Sequence, residues 1–170
     1  YPGGNLVEIV TFLKDLPSAL RVKNETNDRG RFDIVYWKPC TSLHLAKEEV
    51  LTELYRGLRI RLDSTQVEQE IKVLQSEGAT VTRQEEIPAG AEKTFRTLQE
   101  VASVLETKLG EFVTVDHMQG DLYIPIDDFV TPWHLEEASM EVILAYLDKY
   151  DVKMVEEEKT VTLYEIKSME

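Results

Sequence analysis

The sequence predicts an α+β protein made of two small helix-rich domains. With 170 residues, 42% of them hydrophobic, the chain can form one large core or two small ones, because single domains commonly hold about 100–150 residues. Helical apolar spacing and strand-like alternation occur in both halves. Proline and glycine interrupt these patterns at EEIPAGAEK, residues 85–93. We therefore expect an N-terminal domain over 1–88 and an acidic C-terminal domain over 89–170.

In the first half, apolar residues at helical spacing and capping residues predict three helices, over 5–16, 42–58 and 63–78. Leu45 is assigned to the apolar stripe of the second helix, with Val50, Leu51 and Leu54. The third is expected to begin at Asp63 or Ser64 and to end at Gly78. Alternating β-branched and aromatic residues predict strands over 32–37 and 79–86.

The second half is expected to follow the same element order, without a sequence repeat at a fixed period. A helix over 91–110 ends at Gly110, and a second helix over 131–150 has Thr131 as its cap and Pro132 in its first turn. Alternating apolar runs predict two strands or a hairpin within 111–130, and two short strands, VKMV and TVTLYEI, joined by the turn EEEK.

Two segments carry a family resemblance: STQVEQEIKVLQSEGATVTRQ (64–84) and EEASMEVILAYLDKYDVKMVEEEKTVTLYEI (136–166). Each is interpreted as a helix with spaced apolar residues that leads directly into a β-wing. In this respect the chain resembles the winged-helix, helix-turn-helix superfamily. The resemblance implies an architecture of two tandem winged-helix domains, and it names no particular function.

Charge separates the two halves. Residues 1–88 carry 12 Lys and Arg against 14 Asp and Glu, a net of −2, whereas residues 89–170 carry 7 against 18, a net of −11. An acidic surface repels phosphate and attracts basic proteins. We therefore expect a non-catalytic interaction module of a larger protein or complex, which docks a basic partner mainly through its acidic half. A compact acidic protein that mimics DNA is a further alternative.

Four side chains in the acidic half are candidate partner-binding anchors because they are aromatic or flexible: Trp133, Met140, Tyr146 and Tyr164. The alternative is that most of them belong to the core.

The alternative function is nucleic-acid binding through the first half, with 63–78 as a recognition helix. Such a helix needs polar side chains for base edges and cations for phosphates. The candidates are Arg56, Arg59, Arg61, Gln66, Gln69, Lys72 and Arg83. Glu68, Glu70 and Glu77 on the same segment oppose this function, and Arg59 and Arg61 can instead pair with Glu53 and Asp63.

Motifs of common enzymes are missing from the sequence, which contains no HExxH, CxxC, P-loop or GxGxxG pattern. We expect no enzyme activity, cofactor or metal, although Asp127, Asp128, His134 and Glu137 could bind a metal if the turn folds back. An acidic helix start explains the same residues.

The expected location is intracellular, in the cytoplasm or nucleus. Cys40 is the only cysteine, so no internal disulfide can form. No apolar run approaches the roughly 18 residues of a membrane helix. Because the chain starts at Tyr1 rather than Met, we expect it to be a piece of a longer polypeptide or a chain that has lost a tag.

Overall fold

The structure, a computed structural model, describes residues 3–37, 42–76, 82–83, 86–87, 95–116, 119, 122–125 and 137–169. The helices in these ranges are α1 (Leu6–Leu13), α2 (Leu43–Leu58), α3 (Leu98–Leu109) and α4 (Met140–Lys149). The strands are β1 (Val22–Asn24), β2 (Ile60–Ser76), β3 (Thr82–Arg83), β4 (Phe95–Thr97), β5 (Val113–Val115), β6 (Leu122–Pro125) and β7 (Val152–Ser168). The mixture confirms the predicted α+β class. None of the described helices combines the length and the apolar character needed to cross a membrane.

The strands form two sheets. The larger has the order β1-β7-β2-β5, and the smaller has the order β3-β6-β4. The short outer strands of the larger sheet are parallel to their neighbours: Val22 of β1 pairs with Tyr164 of β7, and Val113 of β5 pairs with Lys72 of β2. The smaller sheet is antiparallel.

The chain divides into two compact units whose limits lie inside the long strands β2 and β7. The first unit contains Tyr1–Glu68 and Thr160–Glu170, and the second contains Gln69–Lys159. The expected boundary at residues 88 and 89 falls inside the second unit. Proline and glycine at that position are compatible with a connection within a unit, since both residues are common in any loop.

The first unit is built around α1. Its buried residues Leu6, Ile9, Val10 and Leu13 follow the helical period, and Asn5 and Glu8 form a capping box at its start. They pack with Val22, Leu51, Ile60 and Ile166. This confirms the helix predicted over 5–16, and Ile166 reaches the core from the far end of the chain.

The second unit is built around α3, whose capping box pairs Thr97 with Glu100 and whose C-cap is Gly110 at φ 66. Its core includes Leu98, Val101, Leu105, Ile124, Ile143, Leu147 and Leu74. The fully buried carboxylate of Glu106 accepts a hydrogen bond of 3.0 Å from the backbone N–H of Val113, which fixes β5 beside the helix. The helix predicted over 91–110 is confirmed from residue 98 onward.

Apart from the short strands β3, β4 and β6, the described elements of the two halves share one order: helix, short strand, helix and long strand. The N-caps Asn5 and Thr97 are 92 residues apart (97 minus 5), and β2 and β7, both 17 residues long, begin at Ile60 and Val152, again 92 residues apart. A residue with positive φ precedes each long strand, Arg59 at 51° and Asp151 at 53°. The first unit therefore contains the second part of β7, which comes from the second half of the chain. The second unit contains the second part of β2, which comes from the first half.

The helix predicted over 63–78 is wrong, because Ile60–Ser76 is one β-strand. Val67, Ile71 and Leu74 fit a helical period, but the exposure alternates along the chain, with Glu68 and Glu70 exposed between less exposed neighbours. Glu, Gln and Lys favour helix in isolation, and pairing with β5 and β7 overrides that preference.

The predicted β-ribbon at the end of the chain is also wrong in detail. Residues 152–168 form a single strand, and the expected turn EEEK lies in its middle. The strands β5 and β6 are confirmed, but they belong to different sheets and form no hairpin. Without a helix over 63–78 the described residues of the first half contain no helix-turn-helix. Thr131 and Pro132 lie outside the described residues, and α4 begins after the N-cap Ser139.

Candidate functional site

A groove in the first unit runs between α2 and the segment before it. We call it the docking groove, and its volume is about 590 Å³. Its apolar and aromatic lining residues are Ile34, Val35, Tyr36, Leu45, Val50 and Leu54. Its polar lining residues are Asp33, Glu48, Glu49, Thr52 and Glu53. Ligand sites in proteins typically measure about 300–1,000 Å³, so the groove has the size of a binding site.

The wall opposite α2 consists of residues 33–37. The backbone N–H of Gly3 donates to Asp33 Oδ1 at 2.6 Å. Gly4 and Phe32 form an isolated antiparallel bridge with hydrogen bonds of 3.0 and 2.8 Å. The hydroxyl of Tyr36 donates to Glu49 Oε2 of α2 at 2.6 Å. The strand predicted over 32–37 is therefore reduced to a single bridge at Phe32, and residues 33–37 have no regular secondary structure.

Helix α2 has one buried face and one face that lines the docking groove. On one face Lys47 and Leu51 are buried against the first unit, and the Lys47 ammonium contacts the Asp15 carboxylate and lies 4.5 Å from the Phe12 ring centroid. The other face carries Glu48, Glu49 and Glu53 into the docking groove. The position of the groove wall is thus fixed by packing on the opposite side of the same helix.

Two strongly exposed apolar side chains line this site. Among the described large hydrophobic residues the four with the greatest exposure are Trp37 at 91%, Val35 at 76%, Leu43 at 69% and Leu45 at 52%, and Val35 and Leu45 line the docking groove. The placement of Leu45 on the buried stripe is wrong, because Lys47 occupies that stripe instead. Exposed apolar side chains that lie together are typical of interaction surfaces.

The docking groove is also acidic. The described lining residues include four carboxylates and no Lys or Arg. Arg56 partly offsets this charge, because it contacts Glu53 at 2.8 Å, and His44 lies 3.6 Å from Glu48. The surface thus combines apolar contact area with excess negative charge.

Tyr55, on α2 next to Leu54, gives a test of the packing beneath the groove. Burial, with a smaller contribution from Tyr164, raises the pKa of Tyr55 to about 12, whereas an unfolded tyrosine titrates near pH 10. The folded state thus holds this proton more tightly, and the resulting stability is present below pH 10 and lost as the pH rises towards 12. In urea unfolding between pH 9 and 11.5, Tyr55→Phe should give a shallower decline of stability than the wild type. Identical slopes would contradict the buried position of the hydroxyl.

The predicted partner-binding residues that the structure describes lie against the cores. Met140 and Tyr146 pack on the second unit's core and Tyr164 on the first unit's. The Tyr146 hydroxyl donates to the carbonyl of Pro125 at 2.5 Å, and its ring meets that of Tyr150 edge-on at 5.2 Å. Trp133 lies outside the described residues. The sequence did not indicate Val35, Trp37, Leu43 and Leu45 as a site, although Trp37 beside three apolar residues was an available signal.

The predicted nucleic-acid residues are distributed along strands. Gln66 and Gln69 are an odd number of residues apart on β2, so they face opposite sides. Arg59 precedes β2, and its carbonyl accepts a hydrogen bond of 2.7 Å from the N–H of Met169. Arg83 lies on the short strand β3.

Three of the predicted cations are partnered by carboxylates. Arg61 Nε lies 3.4 Å from Asp63, and Arg56 bonds to Glu53. Lys72 contacts Glu111 and lies 3.7 Å from Glu156. The hydrogen bond to Glu111 raises the pKa of the Lys72 ammonium above its ordinary value. These ion pairs reduce the positive charge available for phosphates.

Among the described residues no three His, Cys, Asp or Glu side chains are placed to hold a metal ion. Of the four candidate metal ligands only Glu137 is described, and Asp127, Asp128 and His134 lie outside, as does Cys40.

Comparisons with known proteins give no information about this site. No protein-family model matches the chain, and no curated protein or solved structure resembles it significantly.

Proposed function

We propose that this chain is a non-catalytic interaction module that docks a basic, partly apolar segment of a protein partner in the docking groove. The observation that carries the proposal is the pair of strongly exposed apolar side chains, Val35 and Leu45, in a groove lined by four carboxylates. Apolar contact supplies affinity at the centre of an interface, and charge complementarity selects the partner.

The negative charge of this chain favours a basic partner both at long range and in direct contact. The whole chain carries a net charge of −13, so a cationic protein is attracted over about a Debye length, roughly 8–10 Å in physiological salt. At contact, Asp33, Glu48, Glu49 and Glu53 are placed to meet Lys or Arg at the rim. A nucleic acid would meet repulsion at the same surface.

The geometry favours the first unit over the acidic second half as the docking surface. Met140 and Tyr146 contribute to packing in the second unit, whereas Val35, Trp37 and Leu45 present most of their area to solvent. In this proposal the second half supplies long-range attraction, and the groove supplies the specific contact.

Charge reversal at the groove tests this assignment. We expect Glu48→Lys/Glu49→Lys to weaken binding of fluorescent 20-residue peptides, basic and partly apolar, by about tenfold or more in anisotropy titrations, since each exposed ion pair contributes roughly 0.2–1 kcal/mol and reversal adds repulsion. The same peptides should bind less tightly as salt increases.

A matched control separates the groove from general electrostatics. Glu156→Lys/Glu158→Lys changes the net charge by the same amount, from −13 to −9, on exposed positions of β7. It should retain most of the affinity. Equal losses in both variants would indicate non-specific attraction, and a loss confined to the β7 variant would place docking on the acidic second half. No binding of any basic peptide would reject the proposal.

A further inference from the structure

We infer that the segment bound in the docking groove is an amphipathic α-helix with a narrow apolar stripe flanked by Lys or Arg. This inference rests on the proposed function, and it adds the conformation and the side-chain pattern of the partner.

The shape of the groove wall fits a helical partner. The residues of α2 that line the groove recur every three to four positions, from Leu45 through Glu48 and Glu49 to Thr52 and Glu53. They present a straight wall about 15 Å long, since ten helical residues from 45 to 54 rise about 1.5 Å each. A partner helix of two to three turns has the same length.

The cross-section of the groove also fits a helical partner. Ile34, Val50 and Leu54 are partly buried and form an apolar floor. Exposed carboxylates border this floor on both sides, with Asp33 on the segment before α2 and Glu48 and Glu53 on α2. An amphipathic helix has the complementary section, an apolar stripe with charged residues on either flank. A flat strand places its side chains on two opposite faces instead.

Val35 and Trp37 are strongly exposed, and they alternate along the chain with the less exposed Ile34 and Tyr36. Tryptophan is among the residues that most often carry binding energy. Trp37 directly follows Tyr36, which lines the groove, so its exposed ring is available to a bound segment.

Charge opposes a symmetric contact between the docking grooves of two copies of this chain. Two groove surfaces would bring four carboxylates against four others, in chains that each carry −13. Like charges in contact oppose association by several kcal/mol.

The test uses Trp37 as the reporter. The chain has two tryptophans, so Trp133→Phe in the full chain leaves Trp37 as the only one. Three synthetic peptides of identical composition, rich in Leu and Lys, are titrated into this variant. The first has its Leu residues at helical spacing and a terminal proline, and the second alternates Leu and Lys strictly. The third has the helical spacing of the first, but its proline is moved from the end to the centre. We expect the first to shift Trp37 emission to the blue and to bind at least tenfold more tightly than the other two.

Variants locate the binding. Val35→Ser/Leu45→Ser should weaken the helical peptide at least tenfold, whereas the matched change Val142→Ser/Leu144→Ser, on exposed apolar residues of α4, should leave it unchanged. Equal effects of the two variants would overturn the placement in the groove.

The outcomes separate the two proposals. If the alternating peptide binds as well as the helical one, and Glu48→Lys/Glu49→Lys abolishes this binding, the helical occupant is rejected and the basic docking site stands. If none of the three peptides binds, and no other basic peptide does, both proposals are rejected.

Discussion

Production of residues 1–88 and 89–170 as separate chains is expected to yield two polypeptides that do not fold alone. The first would lack Thr160–Glu170, which provides the fully buried Ile166 and the partner strand of β1. The second would lack residues 69–88, which include the fully buried Val73 and Leu74 and the partner strand of β5. Each fragment thus loses a central strand of its own unit.

Circular dichroism and the dispersion of amide-proton signals in NMR spectra measure whether the fragments fold. The separate fragments should show no cooperative thermal transition, and mixing them in equal amounts should restore one. As a control, the intact protein can be cleaved at a protease site inserted between residues 89 and 90, and the product should stay folded. A cooperative transition in either isolated fragment would show that the long strands are dispensable, and the two units would have to be reassigned.

Truncation of single buried side chains should show that each half of the chain supplies a strand segment to the core of the other unit. Leu74→Ala is expected to lower the free energy of unfolding by about 2–5 kcal/mol, the usual cost of a Leu to Ala change in a closed core. Leu74 comes from the first half of the chain but packs on α3 residues in the second unit. Hydrogen exchange should therefore accelerate most in α3 and β5.

Ile166→Ala is the reciprocal change. Ile166 lies 92 residues after Leu74, is equally buried, and packs in the first unit's core. It should accelerate exchange mainly in α1 and β1, with a comparable loss of stability. Leu20→Ala, at a residue 44% exposed, should have little effect and serves as the control. If both core variants loosen the same elements, the division into units is wrong.

Local signals were sufficient for the helices but not for the long strands. Caps and apolar spacing predicted α1, α2 and α3, since a helix is defined by contacts between near neighbours. Strand β2 depends on pairing with β5 and β7, which come about 40 to 90 residues later, and its Glu and Gln residues favour helix locally. In β7 the run EEEK resembles a turn, yet Glu157 and Lys159 pair side by side along the strand at 2.7 Å.

The candidate site was only partly accessible from sequence. The negative charge and the expectation of a basic partner come from composition. The location in the first unit does not, because Trp37 and Leu45 resemble core residues until packing shows which positions Lys47 and Leu51 occupy. Exposure is a property of the whole fold, and a pattern of neighbours along the chain does not determine it.

The repeated order of helix, short strand, helix and long strand has an evolutionary consequence. A polypeptide of half this length would lack the strand segment that completes its own core, and two identical copies would supply it to each other, as in a domain-swapped homodimer. Fusion of the two copies frees each from the requirement to be identical. The net charge of −2 on residues 1–88 against −11 on residues 89–170 shows that the two halves differ in composition although they share this order.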